Sequence, residues 1–281
     1  MKNLDILIKL ALEEDGVFND ITTINFIPKN KKAKAVLTAV TPGVLCGVSV
    51  FAKIFKTVDK NCKISYKLKD GANLSGSDEI LEVFGNARSI LSVERTALNF
   101  LQNLSGIATL TNAFVKEITS KKTKIYDTRK TIPAYRELAK YAVKVGGGKN
   151  HRFSLSDMVL IKDNHLALTK NLKQEVSDFR KNHKKFLVEV ECENISQVKQ
   201  ALDAKADVIM LDNTSFSDTK KMMSLIEKRS SKTYKPEIEL SGRVNFKTVK
   251  KFAALEPDRI SIGMLTHSPK ALDMKLEIKI F

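Results

Sequence analysis

From about residue 109 onward the sequence repeats one unit: a short apolar run that stops abruptly at a polar residue or glycine and gives way to helical periodicity. Lys124-Ile-Tyr126 stops at Asp127, Met158–Ile161 at Lys162, Phe186–Val190 at Glu191, Val208–Leu211 at Asp212, Ile238–Leu240 at Ser241, and Ile260–Ile262 at Gly263. The six stops lie 35, 29, 21, 29 and 22 residues apart. Six β-α units at that pitch predict a parallel, barrel-like sheet. In such a sheet the C-terminal ends of the strands open onto one face, where chemistry is built. Asp127, Arg129, Lys162, Glu191, Asp212, Ser241 and Gly263 are therefore expected to converge. The alternative for any one of them is that it is merely the first polar residue of a loop.

The region before the repeat reads differently. Ala33–Val40 and Ile64–Leu68 alternate as strands do, and Thr41-Pro42-Gly43 and Asp70-Gly71 mark turns. Ser89 to about Glu117 carries apolar residues at helical spacing, with a possible break at Ser105-Gly106. A further helix is expected over Pro133–Val145, with proline in its first turn. With 281 residues the chain can bury about three quarters of its unfolded surface and needs neither disulfides nor a structural metal. Cys46, Cys62 and Cys192 are an odd number without C-x-x-C spacing, so they read as small buried hydrophobes. No apolar run approaches the ~18 residues of a spanning helix. Leu4–Leu12 carries Asp5 and Lys9, which makes it an amphipathic helix and not a signal peptide, and a cytoplasmic location is expected.

The formal charge of +16 raises the question of nucleic acid. Only nine of the 48 basic residues are arginine, they are spread along the chain, and there is neither a dense basic tail nor an aromatic-rich run. The expectation is no nucleic-acid partner and no membrane, but attraction of small polyanionic substrates.

At the expected strand ends, Arg129, Lys130, His151, Arg152 and Lys162 form a dense cationic set. Arginine forks grip carboxylates bidentately and lysine supplies a point charge, so the set suits a multiply charged anion. The competing reading pairs each cation with a structural carboxylate, but five would need five partners and the sequence offers too few nearby. Gly146-Gly-Gly148 is either a helix C-cap and joint or a source of backbone N–H groups for an anion. Glu191 and Asp212 end neighbouring strands with no soft ligands near them, which suits Mg²⁺, general acid–base work being the alternative. Ser241-Gly242 and Gly263 stand where barrels often place a phosphate, although tight turns also want glycine.

These residues carry a resemblance. Asp127-Thr-Arg-Lys-Thr131, Gly146-Gly-Gly-Lys-Asn-His-Arg152, Leu160-Ile-Lys-Asp-Asn-His165, Val188-Glu-Val-Glu191, Met210-Leu-Asp-Asn213 and Ser261-Ile-Gly-Met-Leu-Thr-His-Ser268 resemble the quinolinate phosphoribosyltransferases. So do Glu94-Arg-Thr-Ala-Leu-Asn99 and Glu14-Asp15 with Asp20-Ile-Thr22, and the likeness runs in order over nearly the whole chain. It implies an N-terminal α/β sandwich domain, here 1–108 joined by the C-terminal segment 269–281, followed by an open, incomplete α/β barrel over 109–268. It implies transfer of phosphoribose from 5-phosphoribosyl-1-pyrophosphate to quinolinate with Mg²⁺, giving nicotinate mononucleotide, pyrophosphate and CO₂ on the route to NAD.

The resemblance also implies a homodimer in which the N-terminal domain of one subunit closes the barrel mouth of the other. Carried over motif by motif, Arg129, His151, Arg152 and Lys162 hold the two quinolinate carboxylates, and Arg95 reaches in from the neighbouring subunit. Lys130 faces the phosphoribosyl donor or the dicarboxylate. Glu191 and Asp212 serve the metal and the ribose-pyrophosphate, while Ser241, Gly242, Gly263 and His267 meet the 5′-phosphate. Lys162, Glu191, Asp212 and Lys130 are the expected catalytic set. Three positions depart from the family pattern: Arg243 and Ala134 stand where many members carry glycine, and Asn19 replaces the glycine of Gly-Asp-Ile-Thr.

Three rivals remain. A pyrophosphorylase-like paralogue associated with molybdenum transport shares the scaffold, but Arg95, Lys162 and both carboxylates favour the quinolinate enzyme. Lys162 as the Schiff-base lysine of a barrel aldolase predicts trapping by borohydride. A basic nucleic-acid-binding protein predicts tight DNA or RNA binding at physiological salt.

Overall fold

The structure is a computed structural model and describes residues 3–279. The chain divides into two compact units, one of residues up to Ala113 with Thr131–Gly147 and the stretch from Met264 on, the other of Phe114–Lys130 and Gly148–Gly263.

In the first unit, β1 (Lys32–Ala39), β2 (Gly43–Val44), β3 (Lys63–Tyr66), β4 (Asn73–Leu74) and β5 (Glu79–Asn86) are joined by the last strand of the chain, Met274–Lys279. The main sheet is antiparallel, with β1 between β5 and that C-terminal strand and β3 on the far side of β5. β1 shows why it forms: Ala33, Ala35, Leu37 and Ala39 are buried on one face, while Lys34 on the other pairs with Glu82 of β5 at 2.8 Å.

The expected long helix is present as Ala87–Lys116, but it does not break at Ser105-Gly106. A Cβ on Gly106 would lie 2.2 Å from the Lys270 carbonyl oxygen. Gly106 therefore lets the C-terminal segment approach the helix backbone, and Leu272 N–H reaches the Gln102 carbonyl at 2.9 Å. The second expected helix starts later than Pro133. It spans Arg136–Val145, because Ala134 takes a left-handed φ of 61° that no helix continues.

The second unit is built on six parallel strands: β6 (Lys124–Tyr126), β7 (Val159–Ile161), β8 (Val188–Cys192), β9 (Val208–Asp212), β10 (Glu237–Ser241) and β11 (Arg259–Ser261). Their spatial order is β6-β11-β10-β9-β8-β7. β6 and β7 are thus the two edges of the sheet, and the barrel is open between them, as expected. Val188, Val190, Cys192, Ile209 and Leu211 are almost fully buried, the near-continuous burial of a parallel sheet covered by helices. Three helices of this unit start at a polar residue that caps them. Asn171, Asn194 and Ser215 accept from the backbone N–H of Gln174, Gln197 and Asp218 respectively.

Candidate active site

Strand alternation decides what the C-terminal ends of this sheet present. Leu160 with Lys162, Glu189 with Glu191, Met210 with Asp212, Glu239 with Ser241, and Arg259 with Ser261 each lie two apart and share a face. In register, Glu191 stands opposite Met210, Met210 opposite Glu239, and Ser241 opposite Asp212. Together with the segments after β6 and before β7, Leu160, Lys162, Glu191, Met210, Asp212, Glu239, Ser241 and Ser261 line a cavity of about 340 Å³.

Most of the expected site residues meet there. Arg129 and Lys130 come from the segment after β6, His151 and Arg152 from the loop before β7, and Lys162, Glu191, Asp212 and Ser241 from strand ends. Lys162 Nζ lies 2.8 Å from Glu191 Oε2. Asp212 Oδ2 accepts from Asn213 Nδ2 at 2.6 Å. Gly242 follows Ser241 at φ 79° and packs against Asn213. Gly263 follows β11 but does not line the cavity. Arg95 and His267 belong to the first unit, Arg95 exposed on the long helix and His267 at the end of the short helix Met264–His267. Gly146 caps the helix Arg136–Val145, and a Cβ there would lie 2.4 Å from the Ala108 carbonyl oxygen, so close packing accounts for this glycine.

Asp127 points away from the cavity's chemistry. It is fully buried, and its carboxylate accepts from His151 N–H at 2.8 Å and from Asn150 Nδ2 at 2.6 Å. It fixes the loop that carries His151 and Arg152.

The shortage of acid partners foreseen from the sequence is not what the structure holds. Glu189 and Glu239 are fully buried strand residues beneath the mouth, and His151 Nε2 lies 3.1 Å from Glu189 Oε2 and 3.5 Å from Glu239 Oε1. Ser261 Oγ donates to Glu239, and Arg259 stands 3.8 Å from it on the opposite side. Burial opposes charge on His151, yet the two carboxylates outweigh it and raise its pKa to about 9. Burial first and Glu239 second push the Glu189 carboxyl upward, so the trio holds on to protons. His151, Glu189 and Glu239 are also near enough together to suggest metal ligands. His151 and Arg259 offset the charge of the two carboxylates, although neither oxygen of Glu189 has a hydrogen-bond partner, and we read the trio as an ion-pair cluster.

Above that floor the cations crowd. Burial and the neighbouring Arg129 lower the pKa of Arg152, the mark of like charges held together. The Nε groups of Arg129 and Arg152 are buried without a hydrogen-bond acceptor, which is costly unless an anion takes them. A second hollow of about 370 Å³ lies at the other ends of the strands. Its Lys122 is already taken by Asp258 at 3.2 Å and by the Glu256 carbonyl, and the hollow shows no comparable need.

Glu189, Glu239, Leu160, Met210 and Ser261 were not singled out as site residues from sequence. The signal that could have found them is period-2 spacing from strand-end residues that were, with a charged residue inside a strand otherwise buried on both faces.

A cationic mouth with carboxylates in its floor, at the C-terminal ends of an open parallel α/β barrel, defines an enzyme that handles multiply charged anions. Comparison with known proteins gives the particular one. The family profile for the quinolinate phosphoribosyl transferase N-terminal domain matches residues 20–105, and that for the C-terminal domain matches residues 107–277. A probable nicotinate-nucleotide pyrophosphorylase (carboxylating) of Methanocaldococcus jannaschii is 42% identical over 97% of this chain and 96% of its own. The Bacillus subtilis protein of the same name is 36% identical over 96% and 91%. The solved nicotinate-nucleotide pyrophosphorylase of Francisella tularensis superposes with a TM-score of 0.92 at 37% identity, covering 99% of this chain and 96% of its own. The chain belongs to the quinolinate phosphoribosyltransferase family.

Proposed function

We infer that the protein transfers phosphoribose from 5-phosphoribosyl-1-pyrophosphate to the ring nitrogen of quinolinate, with loss of CO₂, to give nicotinate mononucleotide and pyrophosphate for NAD synthesis. The observation that carries this reading is the pair of buried, acceptorless guanidinium Nε groups of Arg129 and Arg152 beside Lys162. A planar dicarboxylate supplies two anions at fixed separation to such a set, and Leu160 and Met210 give the aromatic ring apolar walls.

The residues divide the work. Arg129, Arg152 and Lys162 hold the two carboxylates and present the ring nitrogen, with Lys130 beside the donor. The carboxylates of Glu191 and Asp212 face the sugar, where positive charge develops as pyrophosphate departs. Both are oxygen donors on adjacent strands, a set that fits Mg²⁺. Bound there, Mg²⁺ would neutralise the departing pyrophosphate. Ser241 and the Gly242 amide receive the 5′-phosphate. In the decarboxylation the bond from the ring carbon to the 2-carboxylate breaks, CO₂ leaves, and the electron pair stays on the carbon beside the cationic ring nitrogen. That carbon then takes a proton from water. Positioning and electrostatics carry the rate, and no covalent nucleophile is required.

A homodimer completes the reading. Phe18, Ile21 and Phe26 are 63%, 77% and 80% exposed in the N-terminal region, an apolar face that a second copy would cover. Arg95 is exposed, and no carboxylate holds it in an ion pair among the described residues, which suits donation to a neighbour's mouth. No helix among the described residues is long and apolar enough to cross a membrane.

The test is an assay of purified protein with quinolinate, the phosphoribosyl donor and Mg²⁺, following nicotinate mononucleotide and CO₂, with nicotinate as control acceptor. Product from quinolinate alone, dependent on Mg²⁺, is expected. Equal product from nicotinate, or none from a folded sample, would overturn the reading.

A further inference from the structure

Asp212 and Ser241 close neighbouring parallel strands in register, and the chain leaves β9 by way of Asn213. In an extended strand successive side chains point to opposite faces. Asn213 ends that alternation by turning left-handed at φ 54°, a conformation that asparagine tolerates better than most residues. The turn lays its amide beside the carboxylate of the residue before it, and Nδ2 donates to Asp212 Oδ2 at 2.6 Å. A carboxylate only accepts, so the nitrogen must face Asp212 and the amide oxygen must face away from it. On that other side stands Gly242, where a Cβ would lie 2.3 Å from Asn213 Oδ1.

The asparagine is itself held in place. Its backbone N–H donates to the Ser241 carbonyl at 3.1 Å, one step past the last paired residues of β9 and β10. Just beyond it, Thr214 Oγ1 lies 2.8 Å from Thr219 Oγ1, and Ser215 caps the helix Phe216–Arg229. Among the described residues no other group hydrogen-bonds to or pairs with Asp212, whereas Glu191 has Lys162. The direction of the Asp212 carboxylate thus depends on one amide, and that amide is seated against Ser241 and Gly242.

We propose that Asn213 is a positioning residue that aims the Asp212 carboxylate and ties it to the Ser241–Gly242 segment, so that the sugar and the 5′-phosphate of the phosphoribosyl donor are received at a fixed separation. The proposal rests on the functional reading above for the identity of the donor. Asn213 acts through Asp212 and does not touch the reacting atoms. Gly242 then serves a second purpose, because its missing side chain leaves room for the Asn213 amide.

Two measurements test this. In ¹⁵N-asparagine-labelled protein without ligand, one Nδ2 proton of Asn213 is expected downfield of a free amide, and that shift is expected to vanish in Asp212→Ala. A shift that is absent, or that persists in Asp212→Ala, would overturn the proposal. The second is binding of the phosphoribosyl donor with Mg²⁺, and separately of quinolinate, to Asn213→Gly, Asp212→Ala and the double variant. Glycine keeps the left-handed turn, so the melting temperature is expected to stay within about 3 °C of the parent. Loss of a hydrogen-bond partner from a ligating carboxylate costs on the order of 10- to 100-fold, and we expect the donor Kd of Asn213→Gly to rise by that much while quinolinate Kd stays within about twofold. The double variant should bind the donor within about twofold of Asp212→Ala, because the asparagine acts through the aspartate. A parent-like donor Kd in Asn213→Gly, or losses that multiply in the double variant, would overturn the proposal. Should the glycine variant fold poorly, the amide spectrum of the unaltered protein and of Asp212→Ala decides by itself. Failure of the unaltered protein to bind the donor would count against the functional reading alone, since the spectrum needs no substrate.

Discussion

Replacing Gly242 by alanine probes the expected phosphate cradle and its link to Asp212 in one step. Gly242 sits at φ 79°, and a Cβ there would lie 2.3 Å from Asn213 Oδ1 and 2.7 Å from the Asn213 backbone nitrogen. A left-handed conformation costs an L-residue about 1–2 kcal/mol, and forcing a methyl group into a filled space costs about 1–3 more. The side chain of Asn213 can rotate away, but its backbone nitrogen cannot, because it donates to the Ser241 carbonyl at 3.1 Å. The expected destabilisation is therefore about 2–5 kcal/mol, a fall in melting temperature on the order of 10 °C. The displaced Asn213 also loses its 2.6 Å bond to Asp212, so the donor KM should rise at least about tenfold while quinolinate affinity is unchanged. Thermal melts and steady-state kinetics on the same sample check both. An alanine variant with the parent's melting temperature and donor KM would refute the steric argument and the cradle with it.

Lys162→Ala should lower turnover on the order of 10²- to 10³-fold while stability changes by no more than about 1 kcal/mol, because the side chain is 45% exposed and its ammonium pairs with Glu191. Comparing kcat with denaturant midpoints checks it, and unaltered activity would sink the site assignment. Ala134→Gly should stabilise the protein by roughly 0.5–1 kcal/mol in urea unfolding, since relief of the φ 61° strain exceeds the added chain entropy. The Cys46 thiol is held well above its ordinary 9.0 by burial and then by Asp70. A raised thiol favours the folded state below pH 9, and that contribution fades as the pH climbs above it. Native protein should accordingly resist alkylation at Cys46 at pH 9, and labelling at the rate of a free thiol would contradict this.

The six strands were legible because each is an apolar run stopped by a polar residue or glycine, four of the six stops line the mouth, and the observed strand ends fall within a residue or two of those stops. Spatial order was not legible. Pairing β6 with β11 joins segments more than 130 residues apart, and nothing in either run names its neighbour. Local punctuation misled twice. Gly106 looked like a helix break and is a place of close backbone approach, and Pro133 looked like a helix start although the chain turns through Ala134 first. The family departures are now intelligible. Ala134 at φ 61° and Arg243 at φ 52° occupy left-handed positions, which is why glycine is common there, and this chain holds both against strain.

The buried floor was the part least visible in the sequence, and its reason is electrostatic. Arg129, Lys130, Arg152 and Lys162 lining one mouth would repel one another in a medium less polarisable than water, and the lowered pKa of Arg152 records that repulsion. Glu189, Glu239 and Glu191 come from strand interiors, where a carboxylate is expected only when it is paired. They offset the cations without occupying them: Glu189 and Glu239 act on His151, and Glu191 takes Lys162, while the Nε groups of Arg129 and Arg152 are left unfilled. A floor placed higher would quench the forks that the substrate needs, and a floor removed would leave cations that the folded chain could hold together only with an anion bound. The alternation of a β-strand sets the compromise. Glu189 lies one pleat below Glu191, near enough to steady the mouth through His151 and too deep to compete for the dicarboxylate.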